Sequence, residues 1–402
     1  MPKLYQLFQN NSFFVGNKSD RHTLTVVTTA IALSSLLYLI SRARQAKLSN
    51  SFETIRKKKI TARSSLLKPQ EKYASLKIGN VFVNPFKEWK EVPFYKTVLF
   101  WSRRWKGNGV PQDKKKLEAE LPVVRPDFGQ IKHASDAVTF TWFGQSTCLI
   151  TIDGLTILSD PVFSKCSIND YLGPKRLRPI PCQLEDVIDQ VDIVIVSHDH
   201  FDHLDEAAVH KLGNSVIWYV PLGLKSWFAK RGVHNVNEMD WWQEIRYEPV
   251  PEFKIACVPA MHWSGSRNPF EKNNTLWCSY VIEGKKNKVF FCGDTGYAPE
   301  LFKAIGELYA PFTLAAIPIG SFMPTYLMQH LHMGPKDAIK VHFDLEKPRL
   351  SVGIHWATFM MSDEHYLAPR DDLNRLWNTL EPEETEGTAF TVTSFGRTVT
   401  IS

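Results

Sequence analysis

The stretch His198-Asp199-His200-Phe201-Asp202-His203 decides how the rest of this sequence is interpreted. It follows the apolar run 191–196 directly, and a helical pattern begins near Leu204. Imidazole and carboxylate groups both bind zinc, and this loop offers more of them than one ion can use from one side. The loop therefore predicts a centre for two metal ions at the end of a strand, and the alternative is a solvent-exposed histidine-rich loop.

Short apolar runs separated by turn residues continue from residue 137 to residue 354. Asp153-Gly154 stands between two of them and predicts a β-hairpin. Helical patterns alternate with the later runs, at 205–211, 300–307 and 335–343. This order predicts an α/β fold with two mixed sheets flanked by helices. The predicted strands are 138–143, 148–152, 155–159, 191–197, 216–220, 255–258, 279–282, 288–292, 314–318 and 351–354.

Other polar residues also follow apolar runs directly. His262, Asp294 and His355 each come just after a predicted strand, where a site of this kind would be assembled. Asp160 follows the run 155–159 and is expected to orient a metal ligand.

The HxHxDH spacing at 198–203 resembles the signature of the metallo-β-lactamase superfamily. Further stretches between residues 80 and 370 resemble the family of N-acyl-phosphatidylethanolamine-hydrolysing phospholipase D. They are FVNPF (82–86), SDPVFS (159–164), GPKRLRP (173–179), SHDHFDHLD (197–205), VPLGL (220–224), DWW (240–242), GDTGY (293–297), PFTLAAIPIG (311–320) and GIHWATF (353–359). The resemblance implies a metallo-β-lactamase αβ/βα sandwich.

The resemblance also implies seven ligands for two Zn²⁺ ions per chain. They are His198, His200 and His262 for the first ion, Asp202, His203 and His355 for the second, and Asp294 as a bridge between them. Zinc is preferred over iron or manganese because of the ligand types and the family. A hydroxide shared by the two ions would then attack phosphorus, with Asp202 and Asp294 as catalytic residues, and release N-acylethanolamine and phosphatidic acid.

His332 falls where the family has a further active-site histidine and is expected to be catalytic; the alternative is a histidine of a helix cap or loop. Phe201 stands where the family motif has tyrosine, so any role of that hydroxyl is lost. Candidate substrate contacts are Phe201, Trp263, Lys175 and Arg176. For the two basic residues the alternative is a salt bridge within their loop, and for the aromatic residues it is core packing.

The charge of the chain is uneven. Residues 1–70 hold 12 Lys/Arg and 2 Asp/Glu, a net charge of +10, and since the whole chain carries +6 the remainder carries −4. A nuclease would carry its positive charge on the catalytic domain, so the composition argues against a nucleic-acid partner. A basic arm beside an apolar segment instead suits an anionic membrane surface.

The N-terminal region divides into three predicted segments. Residues 1–22 form a tail or targeting segment, 23–40 a transmembrane anchor, and 41–79 a basic linker before a catalytic domain at 80–402. A removed targeting sequence or a buried helix are the alternatives for 23–40. The predicted location is intracellular and membrane-associated, at the mitochondrial or endoplasmic reticulum membrane, with a phospholipid substrate.

Three further expectations concern the whole protein. The six cysteines form no CxxC pair and are predicted to be buried, reduced thiols. The family resemblance implies a homodimer. The alternatives for function are another hydrolase of this fold, such as a phosphodiesterase or thioesterase with a different substrate, and a membrane-tethered scaffold that has lost activity.

Overall fold

A computed structural model describes residues 51–92, 95–96, 100, 108–132, 136–265 and 272–401. The chain divides into two compact units, Met1–Lys59 and Ile60–Ser402. Of the first unit, the described residues 51–59 are helical. The sheets lie in the second unit.

The first sheet has seven strands, all within the described residues, and its edge strand comes from the C-terminus. Its order is β16 (Thr398–Ile401), β3 (Val138–Gly144), β4 (Thr147–Ile152), β5 (Leu155–Ser159), β6 (Ile193–Ile195), β7 (Ile217–Pro221) and β8 (Val236–Met239). Antiparallel pairing joins the strands from β16 to β5, and parallel pairing joins those from β5 to β8.

The second sheet, also of seven described strands, has the same division between parallel and antiparallel pairing. Its order is β15 (Ala389–Thr391), β14 (Leu350–Ile354), β13 (Leu314–Pro318), β12 (Lys288–Phe291), β11 (Ser279–Glu283), β10 (Lys254–Val258) and β9 (Glu244–Arg246). The strands from β15 to β12 pair in parallel, and those from β12 to β9 pair antiparallel. A separate hairpin pairs β1 (Lys77–Ile78) with β2 (Val81–Phe82).

The side chains of the first sheet alternate between two apolar layers, as the period of two in a strand requires. Ile193 and Ile195 face a core that also contains residues of the second sheet. Val194 and Val196 face a second core, which they share with Leu212 of the helix Glu206–Leu212. Burial on both faces explains why these strands appear in the sequence as continuous apolar runs.

Helices occupy the segments between the strands. Those of the described residues in the second unit, numbered in chain order, are α1 (Pro69–Lys72), α2 (Lys114–Glu120), α3 (Phe128–Lys132), α4 (Glu206–Leu212), α5 (Lys225–Ala229), α6 (Pro299–Tyr309), α7 (Thr325–Met328), α8 (Pro335–Asp344), α9 (Ala368–Trp377) and α10 (Pro382–Thr385). The predicted hairpin turn is present, with φ of 48° at Asp153 and 88° at Gly154. The two mixed sheets with their helices agree with the αβ/βα sandwich that the resemblance implies, and all six cysteines are free and buried.

The predictions for the N-terminal region fall partly outside the described residues. None of the helices within the described ranges is long and apolar enough to cross a membrane, and the predicted anchor 23–40 lies outside those ranges. The second compact unit begins at Ile60, within the predicted linker 41–79, and the predicted domain bounds stay a prediction. Tyr73 packs in this unit, since the centroids of its ring and the Phe86 ring are 5.5 Å apart and its hydroxyl donates to Glu300 at 2.9 Å.

Candidate metal centre

The predicted ligands come from loops that follow strands of both sheets. The segment 198–203 follows β6, His262 follows β10, Asp294 follows β12 and His355 follows β14. His332 lies between α7 and α8. Each strand is held by its buried neighbours, so these polar side chains start from rigid positions.

The first group contains His198, His200 and His262, whose ligand atoms lie within 4.8 Å of one another. His200 Nδ1 is 2.8 Å from His198 Nε2 and 3.3 Å from His262 Nε2. The Nδ1 atoms of His198 and His262 have polar partners on the side of each ring away from His200. His198 Nδ1 lies 2.9 Å from Ser197 Oγ, and His262 Nδ1 donates to the Leu331 carbonyl at 2.8 Å. His198 Nε2, His200 Nδ1 and His262 Nε2 therefore lie close together.

The second group contains Asp202, His203 and His355, again with ligand atoms within 4.8 Å. Asp294 Oδ2 is 3.1 Å from both His203 Nε2 and His355 Nε2. The same oxygen is 3.9 Å from His262 Nε2 of the first group. Asp294 thus lies between the two groups, where the family resemblance expects a bridging carboxylate.

Electrostatics distinguish the two groups. Burial lowers the pKa of His200 and of His262 to about 3, so both rings are neutral and keep a lone pair for a cation. Burial also acts to lower the pKa of His355, but the charge of Asp294 and the hydrogen bond to Asp202 raise it to about 9. A cation entering the second group would displace a proton from this ring.

The composition of the cluster fits a pair of cations. Five buried atoms of the cluster have no hydrogen-bond partner among the described residues: Asp294 Oδ1, His200 Nε2, His203 Nε2, His332 Nδ1 and His355 Nδ1. An unpartnered carboxylate oxygen in a buried site is costly unless positive charge compensates it. Imidazole and carboxylate groups are ligands of zinc and of other divalent metals, and four overlapping groups of such residues could hold a metal ion.

His332 lies at this cluster, and its catalytic role stays a prediction. Its Nδ1 is 3.6 Å from Asp294 Oδ2, and its ring stacks on that of His355 with the centroids 5.2 Å apart. Its side chain is 14% exposed, whereas those of His203 and His355 are 0% exposed. His332 therefore lies on the open side of the cluster.

Asp160 supports the cluster from behind, as expected. Its carboxylate accepts hydrogen bonds from Ser197 N at 2.7 Å and Ser197 Oγ at 2.6 Å, and lies 2.7 Å from His203 Nδ1. This contact fixes the His203 ring with Nε2 toward Asp294. A carboxylate behind a metal-binding histidine both orients the ring and makes it a better ligand.

Replacing Asp160 with asparagine should weaken metal binding or activity about 10–100-fold, because the amide cannot stabilise the His203 ring as a carboxylate does. Metal content after dialysis against a weak chelator measures the effect. Asp192→Asn is the matched control, since Asp192 accepts from Thr156 N at 2.8 Å and belongs to none of the metal groups. Equal metal retention in the two variants would contradict the orienting role.

The predicted aromatic substrate contacts are Phe201, within the segment 198–203, and Trp263, which follows His262. Trp263 is half-buried, and its ring meets the His200 ring edge-on at 4.3 Å. Lys272 Nζ lies 5.3 Å from the centroid of the Trp263 ring. Phe201 is half-buried within the loop itself. A role of either ring in substrate binding stays a prediction.

The predicted basic contacts differ from each other. Lys175 is exposed, whereas the Arg176 side chain is buried, with Nε donating to the Ser164 carbonyl at 2.9 Å and a second nitrogen donating to the Val162 carbonyl. The Arg176 guanidinium also lies 4.9 Å from the Phe359 ring centroid. These contacts hold the loop 162–176 together, and headgroup binding by either residue stays a prediction.

The sequence did not indicate Gln145. This residue lies in the turn between β3 and β4, and its side-chain nitrogen is 2.6 Å from Asp202 Oδ2 and 2.7 Å from His355 Nε2. The motif Gly144-Gln145-Ser146 resembles an ordinary turn, and an uncharged amide gives no metal signal. The fold places it in the cluster, beside Asp202, which follows β6 of the first sheet, and His355, which follows β14 of the second.

Comparison with known proteins agrees with this geometry. The sequence profile of the Beta-lactamase superfamily domain matches residues 156–356. N-acyl-phosphatidylethanolamine-hydrolyzing phospholipase D 1 of Caenorhabditis elegans is 37% identical over 84% of this chain and 97% of its own length. The Saccharomyces cerevisiae protein named N-acyl-phosphatidylethanolamine-hydrolyzing phospholipase D, mitochondrial, is 33% identical over 79% of this chain and 75% of its own length.

Among solved structures, an isothiocyanate hydrolase from Delia radicum gut bacteria has the same fold. It is 19% identical, with a TM-score of 0.51, over 65% of this chain and 98% of its own. The chain is therefore a metal-dependent hydrolase of the metallo-β-lactamase fold and belongs to the family of N-acyl-phosphatidylethanolamine-hydrolysing phospholipase D.

Proposed function

We propose that this protein is a zinc-dependent phosphodiesterase of the phospholipase D type. Its substrate is N-acyl-phosphatidylethanolamine, and its products are N-acylethanolamine and phosphatidic acid. The observation that carries the proposal is the position of Asp294, whose Oδ2 lies within 3.9 Å of imidazole nitrogens from both groups of candidate ligands. The substrate is supported by the relatives named for that reaction.

The ligand sets follow the two groups and give two zinc ions per chain. His198, His200 and His262 would hold the first ion, Asp202, His203 and His355 would hold the second, and Asp294 would serve both. When bound, two such ions lower the pKa of a water molecule and stabilise charge on phosphoryl oxygens. The Asp202 and Asp294 carboxylates offset the charge of the ions and orient the attacking water.

The reaction balances with one water molecule. The water oxygen bonds to phosphorus, the bond from phosphorus to the ethanolamine oxygen breaks, and the departing oxygen takes a proton. His332 can take that proton from the attacking water and pass it to the departing oxygen, since burial lowers the pKa of its ring to about 3 and keeps it neutral, and Nδ1 has no hydrogen-bond partner. Trp263, whose ring contacts that of His200, and Phe201, within the segment 198–203, are the proposed lipid contacts.

The setting of the reaction is also part of the proposal. Residues 23–40 anchor the chain, and the basic residues of 41–79 contact anionic lipid at a mitochondrial or endoplasmic reticulum membrane. Lys175 and Arg176 are the proposed headgroup contacts. The protein acts as a homodimer, which light scattering of the detergent-solubilised chain tests.

The test uses the full-length chain purified in detergent. We expect about two zinc ions per chain by mass spectrometry of the metal content, and N-acylethanolamine release from mixed micelles of N-acyl-phosphatidylethanolamine. In water labelled with oxygen-18 the label should enter phosphatidic acid and be absent from N-acylethanolamine, because the water attacks phosphorus. His200→Ala, which removes one ligand of the first ion, should abolish release.

The outcomes separate the parts of the proposal. Two zinc ions without release would refute the substrate and favour another phosphodiesterase or a thioesterase, which a panel of those substrates would identify. Label in N-acylethanolamine would refute attack at phosphorus. A folded chain that binds no zinc would refute the zinc centre.

A further inference from the structure

Gln145 is a neutral side chain within a cluster of imidazoles and carboxylates. It is 1% exposed, and its carboxamide nitrogen lies at hydrogen-bond distance from two proposed ligands of the second ion, Asp202 and His355. An ionised carboxylate only accepts hydrogen bonds, so the amide must present its nitrogen to Asp202. Gln145 is thus a hydrogen-bond donor to the second metal position.

The backbone of Gln145 is strained and held in place. Its φ is 52°, a conformation that costs a residue other than glycine about 1–3 kcal/mol. Its N–H donates to Thr358 Oγ1 at 2.6 Å, and its carbonyl accepts from His355 N and Trp142 Nε1, both at 2.8 Å. Such strain persists where the surroundings over-determine it, as at functional sites. One of these bonds ties Gln145 directly to the backbone of His355.

The geometry gives the donor a specific target. Gln145 Nε2 is 2.6 Å from Asp202 Oδ2, closer than His203 Nε2 at 3.5 Å or His355 Nε2 at 3.7 Å. A carboxylate has about four lone-pair sites, so this bond leaves others free for a cation while fixing the rotation of the carboxylate. A hydrogen bond that fixes the rotation of a metal-binding carboxylate orients this ligand, as the Asp160 contact orients the His203 ring.

We propose that Gln145 is a positioning residue for the second metal position. Its side-chain N–H holds the Asp202 carboxylate, and its backbone carbonyl holds the backbone of His355, in the orientation that binds the ion. This inference rests on the metal centre of the proposed function but not on its substrate. It assigns a role in metal binding to a residue outside the seven ligands.

The test compares Gln145→Met, which keeps nearly the same length and volume but has no N–H donor, with Gln145→Ala. Stepwise zinc affinities of the full-length protein are measured by competition with a chromogenic chelator. We expect the second ion to bind about 10–100-fold more weakly in both variants while the affinity for the first ion is unchanged. Gln130→Met is the control, because Gln130 lies exposed on α3.

A purely structural role would not produce this difference between ions. If Gln145→Met keeps wild-type affinity for both ions, or weakens both equally, the inference is overturned. Circular dichroism checks that each variant is folded. If Gln145→Met does not fold, the zinc affinities of Gln145→Ala decide the test. If the wild-type chain binds two ions but does not hydrolyse the lipid, the substrate proposal fails while the affinities still decide the role of Gln145.

Discussion

Replacing Asp294 with asparagine should lower kcat/KM for N-acyl-phosphatidylethanolamine by about 1000-fold or more. Asp294 Oδ2 lies 3.1 Å from His203 Nε2 and His355 Nε2, and 3.9 Å from His262 Nε2. The amide keeps the shape but removes the negative charge shared by both metal positions. Metal ions contribute several kcal/mol to such reactions, and each 1.36 kcal/mol is a factor of ten in rate.

Steady-state kinetics and metal content should be measured on the same preparations. Asp344→Asn is the matched control, because Asp344 accepts a hydrogen bond from the Tyr297 hydroxyl at 2.7 Å and belongs to none of the metal groups. The control should keep wild-type activity and both ions. An Asp294→Asn variant with full activity would show that this carboxylate does not join the two metal positions.

The local part of the site could be predicted from the sequence. Four candidate ligands lie within 198–203, and the others each follow an apolar run directly. Because the strands are buried on both faces, these runs are continuous and their ends are easy to locate. The ten predicted strands correspond to strands of the structure, and every predicted boundary lies within two residues of the observed one.

What the sequence did not reveal depends on contacts between distant segments. The strands β8 and β9 lie at sheet edges with half-exposed residues, so their apolar pattern is weak. Arg176 carries a charge that suggested a headgroup contact, but the sequence does not show that the Ser164 and Val162 carbonyls lie within its reach. Gln145 gains its meaning only from the position of Asp202, 57 residues away.

Gly320 is another residue whose importance comes from such a contact. It follows β13, and a Cβ atom built there would lie 2.2 Å from the His355 carbonyl oxygen and 2.9 Å from Trp356 Cα. Both atoms belong to the backbone, which cannot swing aside as a side chain can. Gly320→Ala should therefore displace the segment that carries the proposed ligand His355.

We expect Gly320→Ala to lower the free energy of unfolding by about 1–3 kcal/mol, as overpacking does. It should also lower kcat/KM about 100-fold, because a shift of about 1 Å at a reacting group has that effect. Thermal unfolding and lipid hydrolysis measure the two quantities. Both changes follow from one added methyl group outside the ligand set.

The control that separates the two effects is Gly232→Ala. Gly232 has a φ of 76°, but a Cβ atom there would meet nothing within 4 Å. Alanine in this conformation costs about 1–2 kcal/mol, so the control should lose stability while keeping its activity and metal content. If Gly320→Ala behaves in the same way, the backbone at His355 adapts without disturbing the site. Loss of activity in Gly320→Ala alone would show that the close approach of Gly320 sets the position of His355.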